Sequence, residues 1–167
     1  ATIAGLHPTD LQTAYNLPSL GAGGGQTVAI VDAYDDPTAE ADLALYRSAF
    51  GLIPCTTDNG CFRKVDQGGG TAYPKADVGW SYEISLDLDM VSAICPNCNI
   101  LLVEANDSSF FNLGRGVETA VSMGANEVSN SYGGGEAFYE AAFYEPYYNH
   151  SGVVITASTG DNGYGVE

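Results

Sequence analysis

Two runs of this sequence, "TVAIVDA" from Thr27 and "NILLVEA" from Asn99, are apolar almost throughout until each meets one acid, Asp32 in the first and Glu104 in the second. A strand with no polar side to offer water must be covered on both faces. "NEVSNSYGGG" from Asn126 and "GVVITAS" from Gly152 read as further strands, the latter again buried. Helical segments lie between them. "PTAEADLALYRSAF" has Asp36 placed to cap it and Pro37 at its first position, with Leu43, Tyr46 and Phe50 at helical spacing. A second helix is expected from about Val78 to Ile94 on the stripe Ile84, Leu88 and Val91, a third from about Ser109 to Met123, and a fourth over roughly Glu136 to Tyr148. Residues 51–77, dominated by Gly, Asp, Lys and Pro, read as loop. Strands alternating with helices predict an α/β fold whose parallel sheet is covered on both faces, and in such sheets chemistry gathers at the C-terminal strand ends. Those ends are Asp32, Glu104, the turn from Ser131 to Gly135, and Asp161.

The 167 residues suit a single domain with one core, with no linker or repeat to divide residues 1–167. Five Lys and Arg stand against 21 Asp and Glu, a formal net charge of −16, which argues against nucleic acid and anionic membranes as partners. Near the sequence pI of about 4.1 that charge vanishes and carboxylates share protons, so an acidic working environment fits. A merely soluble or salt-adapted acidic protein has the same composition. The four Cys form two close pairs, Cys55 with Cys61 around "CTTDNGC" and Cys95 with Cys98 around "CPNC", both rich in turn residues. Disulfides are favoured over a zinc site, because the spacings differ and only His7 and His150 could add nitrogen ligands. Disulfides imply an oxidising compartment and a secreted protein. No apolar run approaches the ~18 residues of a membrane span, and no secretory leader is visible, so the sequence reads as a mature form already trimmed at its N-terminus.

The stretch "SYEISLDLDM" places Glu83 and Asp87 four residues apart on the second helix. Their Cβ atoms are then about 5 to 6 Å apart on one face, and two ionised carboxylates so placed cost a few tenths of a kcal/mol unless they share a proton. Sharing raises one pKa, and a carboxyl so tuned serves as general base in acid, where histidine is protonated and useless. An acidic pair on a solvated helix face has the same spacing. Asp89 points elsewhere and is the weaker candidate.

The order of segments resembles the subtilisin-like fold. "TVAIVDAYDDP" looks like the first, aspartate-bearing strand of subtilases, "SYEISLDLDMVSAICPNCNILLVEA" stands in place of their His-bearing helix and following strand, "SNSYGGGE" is similar to their substrate-binding strand, and "GVVITASTGDNG" to their oxyanion strand. No His-Gly-Thr-His run exists here; Glu83 stands where the catalytic His would be and Asp161 where the oxyanion Asn would be. Those replacements, with Asp87 one helical turn after Glu83, are the pattern of the sedolisin family, the serine-carboxyl peptidases. The resemblance implies Glu83 as general base and acid, Asp87 as its orienting partner, and Asp161 as donor to the tetrahedral oxyanion. An Asp donates such a bond only when protonated, so the resemblance implies an acid-acting enzyme. It gives Asp32 a supporting place in the carboxylate network, where a turn-capping role beside Asp35 and Asp36 is the alternative. Ser131, Tyr132 and Gly133 resemble the strand against which a substrate backbone pairs, with Tyr132 where some relatives carry Trp; an ordinary strand exit reads the same.

The family's nucleophile belongs to a Gly-Thr-Ser motif and its calcium site lies later still; this sequence contains neither, and Ser131 and Ser158 match segments with other roles. The chain therefore reads as the N-terminal half of a peptidase catalytic domain, an incomplete subtilisin-like sheet. A processed chain cleaved after Glu167, a fragment, and a non-catalytic peptide-binding relative are the three explanations. The first is favoured, since half a sheet exposes a wide apolar edge. Expected partners are a polypeptide substrate and the C-terminal half of the same precursor as a second chain, which brings the Ser and the calcium ligands. An aspartic-type mechanism, with Asp87 and Asp161 activating water, is a further alternative.

Overall fold

The computed structural model of the chain describes residues 4–135 and 138–165. The two acid-ended runs form β1 (Thr27–Ala33) and β3 (Asn99–Ala105), paired in parallel at the centre of the sheet and buried along nearly their whole length. With β2 (Phe62–Asp66), β4 (Glu127–Asn130) and β5 (Val154–Ala157) they make a five-stranded, all-parallel sheet in the order β2-β3-β1-β4-β5.

Strand alternation divides the core. Val28, Ile30, Ile100 and Leu102 face one way, onto Leu43 of α2 (Ala39–Ala49) and Ile84, Leu88 and Val91 of α3 (Val78–Ile94). Ala29, Val31, Leu101 and Val103 face the other way, onto Val117 and Ala120 of α4 (Phe110–Ser122). Asp32 and Glu104 continue the series that faces α3. The α3 N-terminus is fixed by Asp77, whose carboxylate accepts from the Trp80 N–H at 3.1 Å, and the α4 N-terminus by Ser109. A short N-terminal helix, α1 (Pro8–Ala14), braces the far end of α3, with Gln12 Nε2 donating to Ala93 O at 2.7 Å.

Both expected disulfides are present, Cys55–Cys61 and Cys95–Cys98. Arg47, fully buried, donates to Ile53 O at 2.6 Å and Pro96 O at 2.8 Å, so one guanidinium ties the chain just before Cys55 to the turn closed by Cys95–Cys98.

Several expectations need correction. The helix after β1 starts at Ala39 with Thr38 before it, not at Pro37, although Asp36 still accepts from both the N–H and the hydroxyl of Thr38 at 3.0 Å, the bond of a capping or turn-forming aspartate. Residues 51–77 are not all loop: β2 runs through them on two inward anchors, Phe62 and Val65. The strand of "NEVSNSYGGG" ends at Asn130. The helix expected over 136–148 is, among the described residues, two short pieces, α5 (Glu140–Phe143) and α6 (Glu145–Tyr148), and Pro146 in the first turn of the second cannot continue a helix from the first. Its expected start at Glu136 and the chain end at Glu167 lie outside the described residues. Finally, β5 is not buried: it lies at the sheet edge, with Val154 59% exposed.

Candidate active site

The strand order puts a topological switch at β1. Chain leaving β3 crosses to β4 on the other side of β1, so the C-terminal ends of β1, β3 and β4 border one crevice, the usual ligand position in such sheets. The N-terminal half of α3 runs over that crevice and carries Glu83 and Asp87 into it.

Asp87 is held from across the crevice. The hydroxyl of Ser131, the first residue after β4, donates to Asp87 Oδ1 at 2.9 Å, and the Ser131 side chain also acts on Glu83. Burial pushes the Asp87 carboxyl up to about 6, with the Ser131 bond pulling it down and the Glu83 charge adding to the rise. Glu83 is raised as well, first by burial and then by the charge of Asp161, which stands in the loop after β5. Glu83 and Asp87 thus stand together on one helix where burial makes charge costly, and the exposed Asp161 is near enough for its charge to act on Glu83. Asp32 lies behind them, completely buried, and burial followed by the charges of Asp87, Glu83 and Glu104 holds its carboxyl well above the usual range. It caps no turn, which removes the alternative its neighbours Asp35 and Asp36 suggested.

The remaining sequence candidates fall differently. Tyr132 is half-buried: its ring packs on Ala33, Ala105 and Leu113, and its hydroxyl donates to Asn130 Oδ1 at 2.7 Å and meets the Tyr148 hydroxyl at 3.2 Å. Gly133 is exposed beyond it. Asp89 sits on another face of α3 against α2, its carboxyl raised to about 7 by burial and by Asp42. The partnership of Glu104 with Lys64 escaped the sequence reading; the available signal was an acid inside an apolar strand, which requires a cation in a chain with five Lys and Arg. Among the described residues, no group of three or more His, Cys, Asp or Glu could hold a metal ion, so the calcium expected from the resemblance has no ligand set there.

No protein-family model and no curated protein matches the chain. Among solved structures, the subtilisin-like α/β class is clear. Pseudomonas sedolisin, a serine-carboxyl proteinase solved with two molecules of pseudo-iodotyrostatin, superposes with a TM-score of 0.75 at 22% identity, covering 98% of this chain and 46% of its own. The PatG macrocyclase, solved with a peptide, follows with a TM-score of 0.51 at 16% identity, covering 95% of this chain and 60% of its own. The chain is therefore a relative of sedolisin in its fold, and it spans about half the length of the sedolisin chain.

Proposed function

We propose that this chain carries the acid–base half of an acid-acting serine endopeptidase site of the serine-carboxyl type, and that the chain as a whole is the N-terminal part of one peptidase catalytic domain. The observation that carries the reading is the pairing of Glu83 and Asp87 on α3 beside the C-terminal strand ends, both carboxyls raised, with the charge of Asp161 acting on Glu83. Glu83 takes the proton of a serine nucleophile and returns it to the leaving amine, Asp87 orients Glu83, and Asp161 donates to the oxyanion. A carboxyl with a raised pKa exchanges protons in weak acid, which suits this division of labour. The serine comes from a segment outside these residues, either a second chain of the same precursor or a continuation of this one, and calcium ligands belong there too. The two disulfides support a secreted location.

The test is hydrolysis of a denatured protein by the native material in acid, at roughly pH 3 to 5, with and without Glu83→Gln. Hydrolysis that disappears in the variant supports the reading. Peptide binding without turnover, indifferent to the substitution, supports the non-catalytic alternative, and inhibition by a pepstatin-like compound without hemiacetal formation from a peptide aldehyde supports water activation by Asp87 and Asp161.

A further inference from the structure

The acidic group continues past α3 into the sheet. Asp32 and Glu104 are register partners on adjacent strands, and both are completely buried. Neighbouring strands lie only about 4.8 Å apart, so two side chains on one face at one register position are close neighbours. Glu104 Oε1 is satisfied: it accepts from the Asp36 N–H at 2.8 Å and lies 3.0 Å from Lys64 Nζ. Glu104 Oε2 and both oxygens of Asp32 have no hydrogen-bond partner among the described residues. The remaining unpartnered buried oxygen of the group is Asp87 Oδ2, and Asp87 is the charge that acts most strongly on Asp32.

Two ionised carboxylates do not coexist at such a place. Each buried charge costs several kcal/mol even after relaxation, and like charges in contact add to that. Lys64 cannot neutralise both, because its ammonium is already shared between Glu104 and Asp35. We propose that Asp32 and Glu104 hold one proton between them at neutral pH, forming a carboxyl pair that stands behind Asp87, with Lys64 anchoring the remaining negative charge on the Glu104 side. A proton between Glu104 Oε2 and an Asp32 oxygen gives two of the unpartnered atoms a bond. The groups facing the pair are Glu83 and Asp87 from α3, Lys64 from β2, Asp35 and Asp36 after β1, and Tyr132 after β4. Only Lys64 among them is cationic.

Proton sharing rests on the geometry alone; its use rests on the peptidase reading above. In that reading Glu104 and Lys64 are positioning residues, which set the charge next to Asp87 and so the pH range in which Asp87 and Glu83 exchange protons. The test is isotope-edited infrared spectroscopy of the full-length protein at neutral pH, with carbon-13 in Asp or in Glu. An Asp89→Asn background removes the carboxyl raised to about 7 on the other face of α3, and at neutral pH Asp87, at about 6, is mostly ionised. The expected result is a band from a protonated, buried carboxyl that is lost or shifted by both Asp32→Asn and Glu104→Gln. No such band, or a band indifferent to both substitutions, overturns the proposal. Should Asp32→Asn fail to fold, the band in the parent protein and its response to Glu104→Gln decide. The pH profile of hydrolysis separates the two claims: Glu104→Gln replaces a charged pair by a neutral one and moves the limb belonging to Asp87 to lower pH. A band without hydrolysis leaves the pair standing and overturns the peptidase reading, whereas hydrolysis without a band does the reverse.

Discussion

The Ser131 hydroxyl donates to Asp87 Oδ1 at 2.9 Å, joining the exit of β4 to the middle of α3 across the crevice. This bond favours the ionised carboxylate, and it opposes the burial that lifts Asp87 to about 6. Ser131→Ala is expected to move the Asp87 titration higher and to destabilise the protein by about 1 to 2 kcal/mol, at or below the low end of the range for a bond to a charged group because both residues are only half-buried. Carbon-13 titration of the Asp carboxyls and chemical denaturation at mildly alkaline pH give the two readings. An unmoved Asp87 titration would show that the bond does not act on that carboxyl.

Acid is expected to stabilise this protein. Asp87 and Asp89 titrate at about 6 and about 7, and Glu83, Asp32 and Glu104 are raised in the same direction. In the unfolded chain these groups return to about 3.9 for Asp and 4.3 for Glu. Between those values and the folded ones the native state binds more protons, so stability is fully present below about pH 4 and is lost as pH rises through 6 and 7. Asp66 and Asp107, lowered by bonds to backbone N–H groups and to Ser109, act oppositely but only at more acid pH. Calorimetry should therefore show Tm falling from weak acid to weak alkali, and Asp89→Asn should flatten part of that fall. A Tm that climbs over the same range contradicts the burial of these carboxyls.

The parts of the fold legible in the sequence are those where one pattern admits one arrangement. The α3 and β3 bounds, Val78–Ile94 and Asn99–Ala105, follow from a continuous buried stripe and a continuous apolar run. By contrast β2 is short and polar outside Phe62 and Val65, so its backbone pairing leaves little trace in composition. "GVVITAS" reads as buried because apolar composition is the same whether or not a face is covered, and β5 is an edge strand. In the site, helical spacing put Glu83 and Asp87 on one face, and the order of the surrounding segments, not the spacing, singled them out from a solvated acidic pair. Glu104 was legible as an acid at a strand end, but its pairing with Lys64 was not: Lys64 pairs with Leu102, two residues before Glu104 on the same face, and that register exists only once β2 and β3 are joined.

Close contact between α4 and β1 depends on Gly116. A Cβ there would lie 2.7 Å from Val31 Cγ1, and Val31 is a fully buried, β-branched residue with no room to turn away. Gly116→Ala gains about 1 kcal/mol of helix propensity. Overpacking a tight core costs about 1 to 3 kcal/mol, so the substitution is expected to be net destabilising. Combining it with Val31→Ala should recover part of the loss. Denaturant midpoints of the two single variants and the double variant measure the coupling, and strict additivity would mean the helix had shifted instead of clashing.

Asp161 reaches the site from a different strand than Ser131, and its charge is the largest electrostatic contribution, after burial, to the raised Glu83 carboxyl. Asp161→Asn deletes that charge, so Glu83 should titrate lower, as read from its carbon-13 resonance. In the proposed reaction the same substitution supplies an amide N–H that donates to an oxyanion at any pH. Hydrolysis should then persist and extend toward neutral pH, whereas Asp161→Ala, which removes the donor altogether, should lower kcat by about 100- to 1,000-fold. Equal activity of the two variants would detach Asp161 from the oxyanion, while the Glu83 titration would still report whether the two carboxyls face each other.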